Sequence, residues 1–198
     1  MNIERPSWEE AFLLDIIGGG LRSTCLKRKV CAGLVKNKRV LARGYNGAPP
    51  GVETCLQTGE CYYERLAWED HCKGHGEFLI LKEARKQFCN AIHAEKNAFN
   101  QCTQTGVIPI GASLYTTNFP CPGCVRDVII PNKIAEVVVW KPFLSNVTLT
   151  ADELTVSNFW LRQAQIPIRT ISITDERLTE LLSLFSSVGD RIEYVFHP

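Results

Sequence analysis

His93-Ala94-Glu95-Lys96-Asn97-Ala98, followed by Ser113-Leu114-Tyr115-Thr116-Thr117-Asn118-Phe119-Pro120-Cys121-Pro122-Gly123-Cys124, is the stretch on which the rest of the chain is organised. One imidazole (His93) and two thiols (Cys121, Cys124) form a nitrogen and sulfur donor set that suits zinc, and three protein ligands leave the fourth tetrahedral position open for water. Glu95 stands two residues past the histidine, near enough to serve that water without binding the metal. Taken singly the parts are bland. A Cys-x-x-Cys is often redox-active or half of a structural zinc site, and a His-Ala-Glu is ordinarily a helix face. In combination, with Pro120 ahead of the first cysteine, they favour a catalytic metal over a structural zinc closed by a fourth protein ligand.

The pairing of H-x-E with P-C-x-x-C resembles the zinc nucleobase deaminases. The chemistry is intelligible from its parts. Zinc lowers the pKa of a water from about 16 towards 7. A pyrimidine amino group leaves readily only after its ring carbon has become tetrahedral and the nitrogen is protonated. One carboxylate can take the proton from water and return protons to the ring nitrogen and the amine. Glu95 is the only carboxylate inside the motif, so that role falls to it.

The bulk properties narrow the class. A chain of 198 residues with 45% hydrophobic and 22% charged residues is long enough for one domain with a real core. A net charge of +1 supplies no basic field, so no nucleic-acid partner is expected. The start, MNIERPSWEE, is unlike a signal peptide, and the apolar runs are too short to span a bilayer, so no membrane partner is expected. Nine cysteines in that setting point to a reducing cytoplasm with thiolates on metal rather than to disulfides.

Local signals then lay out the elements. Ser7 and Glu10 form a capping box for a helix from Trp8 to about Ile17, which Gly18-Gly19-Gly20 end or loosen. Residues 22–29 (RSTCLKRK) read as a basic turn, by default solvated, from which Lys27 or Arg28 can reach a phosphate. Alternation at Val30, Ala32, Leu34 and at Val40, Ala42 around Lys36-Asn37-Lys38 predicts a hairpin. The loop Gly44 to Gly51 must be sharply shaped, and Asn46 in it offers both a donor and an acceptor to a sugar hydroxyl or a base edge. Cys55, Cys61, His71, Cys72, His75 and Cys89 crowd a region of no standard finger spacing. A metal site is favoured there over a set of small semi-buried thiols. Residues 76–88 read as helical.

Further on, Ala91–Gln104 is expected as a helix holding His93 and Glu95 and stopped by Gly106. A strand over Ser113–Thr117, a helix over Pro122–Ile130 and a buried strand over 134–140 follow. A helix capped by Thr150 and Glu153 runs to about Gln165, then come a strand over Ile166–Ile173, a helix from Thr174 to about Phe185 and an edge strand over Arg191–Phe196. The order predicts an α/β fold, a sheet covered by helices on both faces.

RSTCLKRKVCAGLV, GYNGAPPG, HAEKNA and SLYTTNFPCPGC together resemble the deoxycytidylate (dCMP) deaminases, over about residues 7–175. The resemblance implies a cytidine deaminase-like three-layer α/β/α fold with a five-stranded mixed sheet. It implies a single domain over 1–198, with a Cys/His-rich insertion at about 52–90 and an extension after about 175. It implies hydrolysis of dCMP to dUMP, which feeds thymidylate synthesis. His93, Cys121 and Cys124 would hold the catalytic zinc, with Glu95 shuttling protons. Asn46 would contact the sugar or base, the Ala94 backbone and the Thr116-Thr117 strand end would read the cytosine edge, Phe119 would flank the ring, and Lys27 would lie near the 5′-phosphate. Cys25 and Cys55, then His71, then Cys61 or His75, are the implied ligands of a second, structural zinc. Relatives are often homo-oligomers (hexamers; a dimer is the other expectation) under dCTP and dTTP control.

The chain departs from the family pattern in three places. Cys31 replaces a glycine, which would narrow the pocket. Residues 73–90 look inserted, and Gly18–Gly20 occupy a position that is helical in relatives. Two other readings remain in view. One is a deaminase of a free base, tRNA adenosine, or another cytosine or modified nucleotide. The other is an inactive, zinc-stabilised nucleotide-binding module, against which an intact Glu95 speaks.

Overall fold

The computed structural model describes residues 4–62, 64, 89–140 and 149–189, with side chains as far as 183. The expected helix over 76–88, the edge strand over 191–196 and the metal candidates His71, Cys72 and His75 lie outside the described residues.

Helix α1 (Trp8–Gly20) begins with the capping box read from Ser7 and Glu10: Glu10 N–H donates to Ser7 Oγ at 3.2 Å and Ser7 N–H to Glu10 Oε2 at 2.7 Å. Gly18–Gly20 do not end this helix; they form its last turn. Gly20 meets Cys31 so closely that a Cβ there would sit 2.9 Å from the Cys31 sulfur. Gly20 is therefore fixed by packing, at the usual cost in helix propensity.

Strands β1 (Cys31–Lys36) and β2 (Arg39–Tyr45) form the expected hairpin. Its loop is two residues, Asn37 and Lys38, both left-handed at φ 52° and 58°, which matches the twist of the flanking strands. A short helix α2 (Cys55–Thr58) opens with a further capping box, Thr54 with Gln57. Helix α3 (Ala94–Thr105) ends at Gly106, whose φ of 70° is the left-handed stop. Strand β3 (Ser113–Thr116) leads into α4 (Pro122–Cys124), which continues as a π-helical turn over Val125–Ile129 rather than the regular helix expected. Strand β4 (Glu136–Trp140), helix α5 (Ala151–Gln163) with its Thr150/Glu153 box, strand β5 (Ile168–Ile171) and helix α6 (Asp175–Gly189) complete the order.

The sheet has five strands in the order β2-β1-β3-β4-β5. β1 is antiparallel to β2 and β3, while β3, β4 and β5 run parallel, so the sheet is mixed. Alternation on β1 sorts the two faces. Ala32 and Leu34 pack under α3 with Leu114, Val137, Val139, Val125 and Leu161. Cys31 and Val35 pack under α1 with Phe12, Ile16, Tyr115 and Val138. α6 joins the α1 side, where Leu178 packs against Leu13, Trp140 and Ile173. The three-layer α/β/α arrangement with a five-stranded mixed sheet is the one expected. No described helix is long and apolar enough to cross a membrane.

Candidate metal centre

α3 reaches the sheet because Gly44 has no side chain. A Cβ on Gly44 would lie 2.1 Å from Ala94 O and 2.3 Å from Ala98 N, so the first turns of α3 rest directly on the β2 backbone. Polar clasps fix its register. Asn97 Nδ2 donates to Tyr45 O at 2.7 Å, and Gln101, one turn on, accepts from Arg43 N at 2.7 Å. These partners occupy polar groups of an edge strand that would otherwise stay open. Asn97 and Ala98 of HAEKNA are thus seating residues, and Gly44 is the functional position that sequence reading passed over as a loop glycine.

His93 is not inside that helix, as the sequence reading had it. It is the N-cap, extended at φ −67° and ψ 150°, and its side chain makes no capping hydrogen bond, because the ring is turned to the cysteines. Its Nδ1 is 3.4 Å from Cys121 Sγ and 3.5 Å from Cys124 Sγ. A tetrahedral zinc with bonds of about 2.3 Å to sulfur and 2.0–2.1 Å to nitrogen has a nitrogen–sulfur edge of about 3.5 Å, so the donor spacing fits that ion. His93, Cys121 and Cys124 are the one set of three such donors within 4.8 Å of one another among the described residues. Cys121 caps α4, accepting from Cys124 N at 3.4 Å, and Pro122 occupies the first helical position, where no N–H is missed.

The electrostatics suit a metal. Cys124, the Cys121 sulfur's hydrogen-bond partner, and then His93, pull the Cys121 thiol down to about 4. The same contact with Cys121, helped by burial, pushes Cys124 up. The bond to Cys121 raises His93 to about 9. These protons are what a metal displaces on binding. Glu95 is 3% exposed, and burial raises its carboxyl above the ordinary range.

The other expected site residues are placed as follows. Asn46 Oδ1 accepts from Ser23 Oγ at 2.7 Å and Val30 N at 2.9 Å, while its Nδ2 donates to Arg28 O at 3.0 Å, so it staples the 22–30 turn to the loop after β2. Lys27 pairs with Glu64. Thr117 is buried, and both its N–H and its hydroxyl engage Cys31. Phe119 packs half-buried against the α3-side core, and Ala94 is fully buried. The Cys31 thiol is turned to Gly20 on the α1 face, away from α3. Cys25, Cys55 and Cys61 all act electrostatically on the half-buried Cys89 thiol, and Tyr62 N donates to Cys55 Sγ at 3.5 Å. No three of these four sulfurs come within 4.8 Å of one another.

A buried carboxyl thus lies beside one imidazole and two thiols that could hold one metal ion. Residues 6–141 match the family described as the cytidine and deoxycytidylate deaminase zinc-binding region. The chain belongs to that family. It is 36% identical over 127 residues to ComE operon protein 2 of Bacillus subtilis, covering 64% of this chain and 56% of that protein. It is 35% identical over 136 residues to the deoxycytidylate deaminase of Mycobacterium phage D29, covering 69% of this chain and 96% of that one. Against the Saccharomyces cerevisiae deoxycytidylate deaminase it is 30% identical, over 87% of this chain and 47% of the yeast protein. The chain thus spans about half the length of some relatives and nearly all of the phage enzyme. The cyanophage S-TIM5 dCMP deaminase, solved in complex with dCMP and dUMP, shares the fold, with a TM-score of 0.59 at 23% identity over 85% of this chain and 99% of that one.

Proposed function

We propose that the chain deaminates dCMP hydrolytically to dUMP and ammonia, supplying dUMP for thymidylate synthesis. The observation that carries this reading is the donor set His93, Cys121 and Cys124 at zinc spacing with a buried Glu95 on the same helix turn. It stands on a chain that spans 96% of a phage deoxycytidylate deaminase. Zinc, when bound, makes a hydroxide equivalent available near neutral pH. Glu95 takes one proton from water and passes it to the ring nitrogen as the C–O bond forms; it then takes the second proton, from the hydroxyl on the tetrahedral ring carbon, and passes it to the amine as the C–N bond breaks, so ammonia leaves, the carbonyl remains and no oxidation state changes. Burial supports this shuttle by favouring the protonated carboxyl between the two transfers.

The Ala94 backbone and the Thr116-Thr117 end of β3 read the cytosine edge, Phe119 flanks the ring, Asn46 meets the sugar or base, and Lys27 lies towards the 5′-phosphate. The engagement of Asn46 with Ser23 and Val30 supports it as the hinge that holds the 22–30 turn over the substrate. A second, structural zinc near Cys25, Cys55 and Cys61 belongs to the same reading, and the electrostatic coupling of all three to Cys89 supports a shared thiol neighbourhood. The single-domain reading over 1–198, supported also by chain length, and a cytoplasmic location, supported by the cysteine usage, belong to the proposal too; homo-oligomeric assembly and dCTP and dTTP control rest on the family resemblance alone.

Ammonia release measured across dCMP, dCTP, cytidine and cytosine tests the reading, with dCMP expected to be preferred. Release from the others without any from dCMP would sink it. Metal analysis is expected to find two zinc per chain, and a value of one would remove the second site.

A further inference from the structure

We infer that Lys96 and Asp127 are positioning residues of the metal centre, and that their ion pair locks the two ligand-bearing elements together. Lys96 follows Glu95 on the first turn of α3. Asp127 stands in the π turn that continues from Cys124. Lys96 Nζ meets Asp127 Oδ2 at 2.9 Å, and the other carboxylate oxygen accepts from Arg126 Nε at 2.7 Å, so the aspartate is held from both sides. A Cβ on Gly123 would lie 3.8 Å from Cys121 Sγ and 4.0 Å from Asp127 Oδ2. The carboxylate and a ligand sulfur therefore flank the same small residue.

Fold stability does not account for the pair. With side chains 37% and 34% exposed it is a surface ion pair of the kind that adds little to folding. What it joins is specific: His93 and Glu95 on one element, Cys121 and Cys124 on the other. π turns concentrate at functional sites, and this one carries the anchoring carboxylate.

The inference rests on the zinc reading of the site. Its test is zinc retention against a chromophoric chelator for the wild type, Lys96→Met, Asp127→Asn and Lys96→Arg, with melting of the zinc-free proteins alongside. Met and Asn are expected to weaken zinc by about tenfold or more, in the range found when groups behind metal ligands are removed. Arg, which keeps charge and reach, is expected to stay within about threefold of wild type, and the zinc-free melting temperatures to agree within about 2 °C. In the cobalt-substituted protein the thiolate charge-transfer band is expected to move in the Met variant and not in the Arg variant. Unchanged zinc affinity in both Met and Asn variants would overturn the inference. So would a loss matched by equal destabilisation of the zinc-free protein. A wild type that takes up no zinc would overturn the zinc reading as well, which separates the two failures.

Discussion

Replacing Gly44 with alanine probes the contact that carries the whole site. The new Cβ would lie 2.1 Å from Ala94 O and 2.3 Å from Ala98 N, and 2.9 Å from the Asn97 carbonyl carbon. All three are backbone atoms of one helix, so no side-chain rotation relieves the overlap. An unstrained carbon–oxygen contact needs about 3.3 Å, so α3 must lift from β2 by roughly 1 Å. Overpacking of this kind costs about 1–3 kcal/mol, or a fall in melting temperature of roughly 2–12 °C for a chain of this size. The same lift carries His93 and Glu95 away from Cys121 and Cys124, and a 1 Å misplacement can cost about a hundredfold in rate. Melting is read by calorimetry and turnover by ammonia release from dCMP. Gly33→Ala is the control. Its Cβ would meet Ile16 Cγ1 and Cδ1 at 2.4 and 2.5 Å, on the α1 side of the sheet, so it should destabilise while the folded fraction keeps its rate. A Gly44→Ala protein that melts with wild type and turns over normally would refute the seating argument. So would equal rate losses in the two variants.

Glu95→Gln is expected to lower kcat by about 10²–10⁴-fold while zinc content and nucleotide binding persist, as read by ammonia release, metal analysis and calorimetric titration. Gly20→Ala should destabilise by about 1–3 kcal/mol against the Cys31 sulfur, and Cys31→Gly should restore most of the loss, a coupling that a double-mutant cycle in denaturant would report. Acid stability offers a further check. The Arg177 guanidinium beside Glu10 holds that carboxyl at about 2, well below its unfolded value of 4.5. A depressed carboxyl pKa means stability that is complete above about pH 4.5 and is lost as pH falls towards 2. Glu10→Gln should therefore lose about 1 kcal/mol near neutral pH and show a flatter acid limb, and urea midpoints at pH 7 and pH 3 would show it. Chelation of the metal should abolish turnover and lower the melting temperature, with both recovered on adding zinc back, because metal bound only to the folded chain stabilises it.

The parts of this protein that could be read along the chain are those whose chemistry closes within a few residues. Ser7 with Glu10 and Thr150 with Glu153 are capping boxes because a hydroxyl and a carboxylate three residues apart reach each other's backbone N–H in any context. Cys121 and Cys124 share a face through one turn of chain. His93 and Glu95 announced themselves by residue type. The order of elements was enough for a helix-covered mixed sheet, and the motif was enough for the family.

Folding placed the rest, through neighbours that no local spacing encodes. Gly44 looked like one more loop glycine until α3 was found lying on it, and Asn97 looked like a motif letter until its amide was found on Tyr45. Cys31 stood out as a departure near the pocket, yet alternation along β1 turns its sulfur to Gly20 on the other side of the sheet. Lys96 and Asp127 are 31 positions apart and meet only because a π turn brings the aspartate round to α3. Periodicity tells which residues share a face of their own helix or strand; which other element covers that face depends on strand order and crossover path, and those are settled by the packing of the chain as a whole.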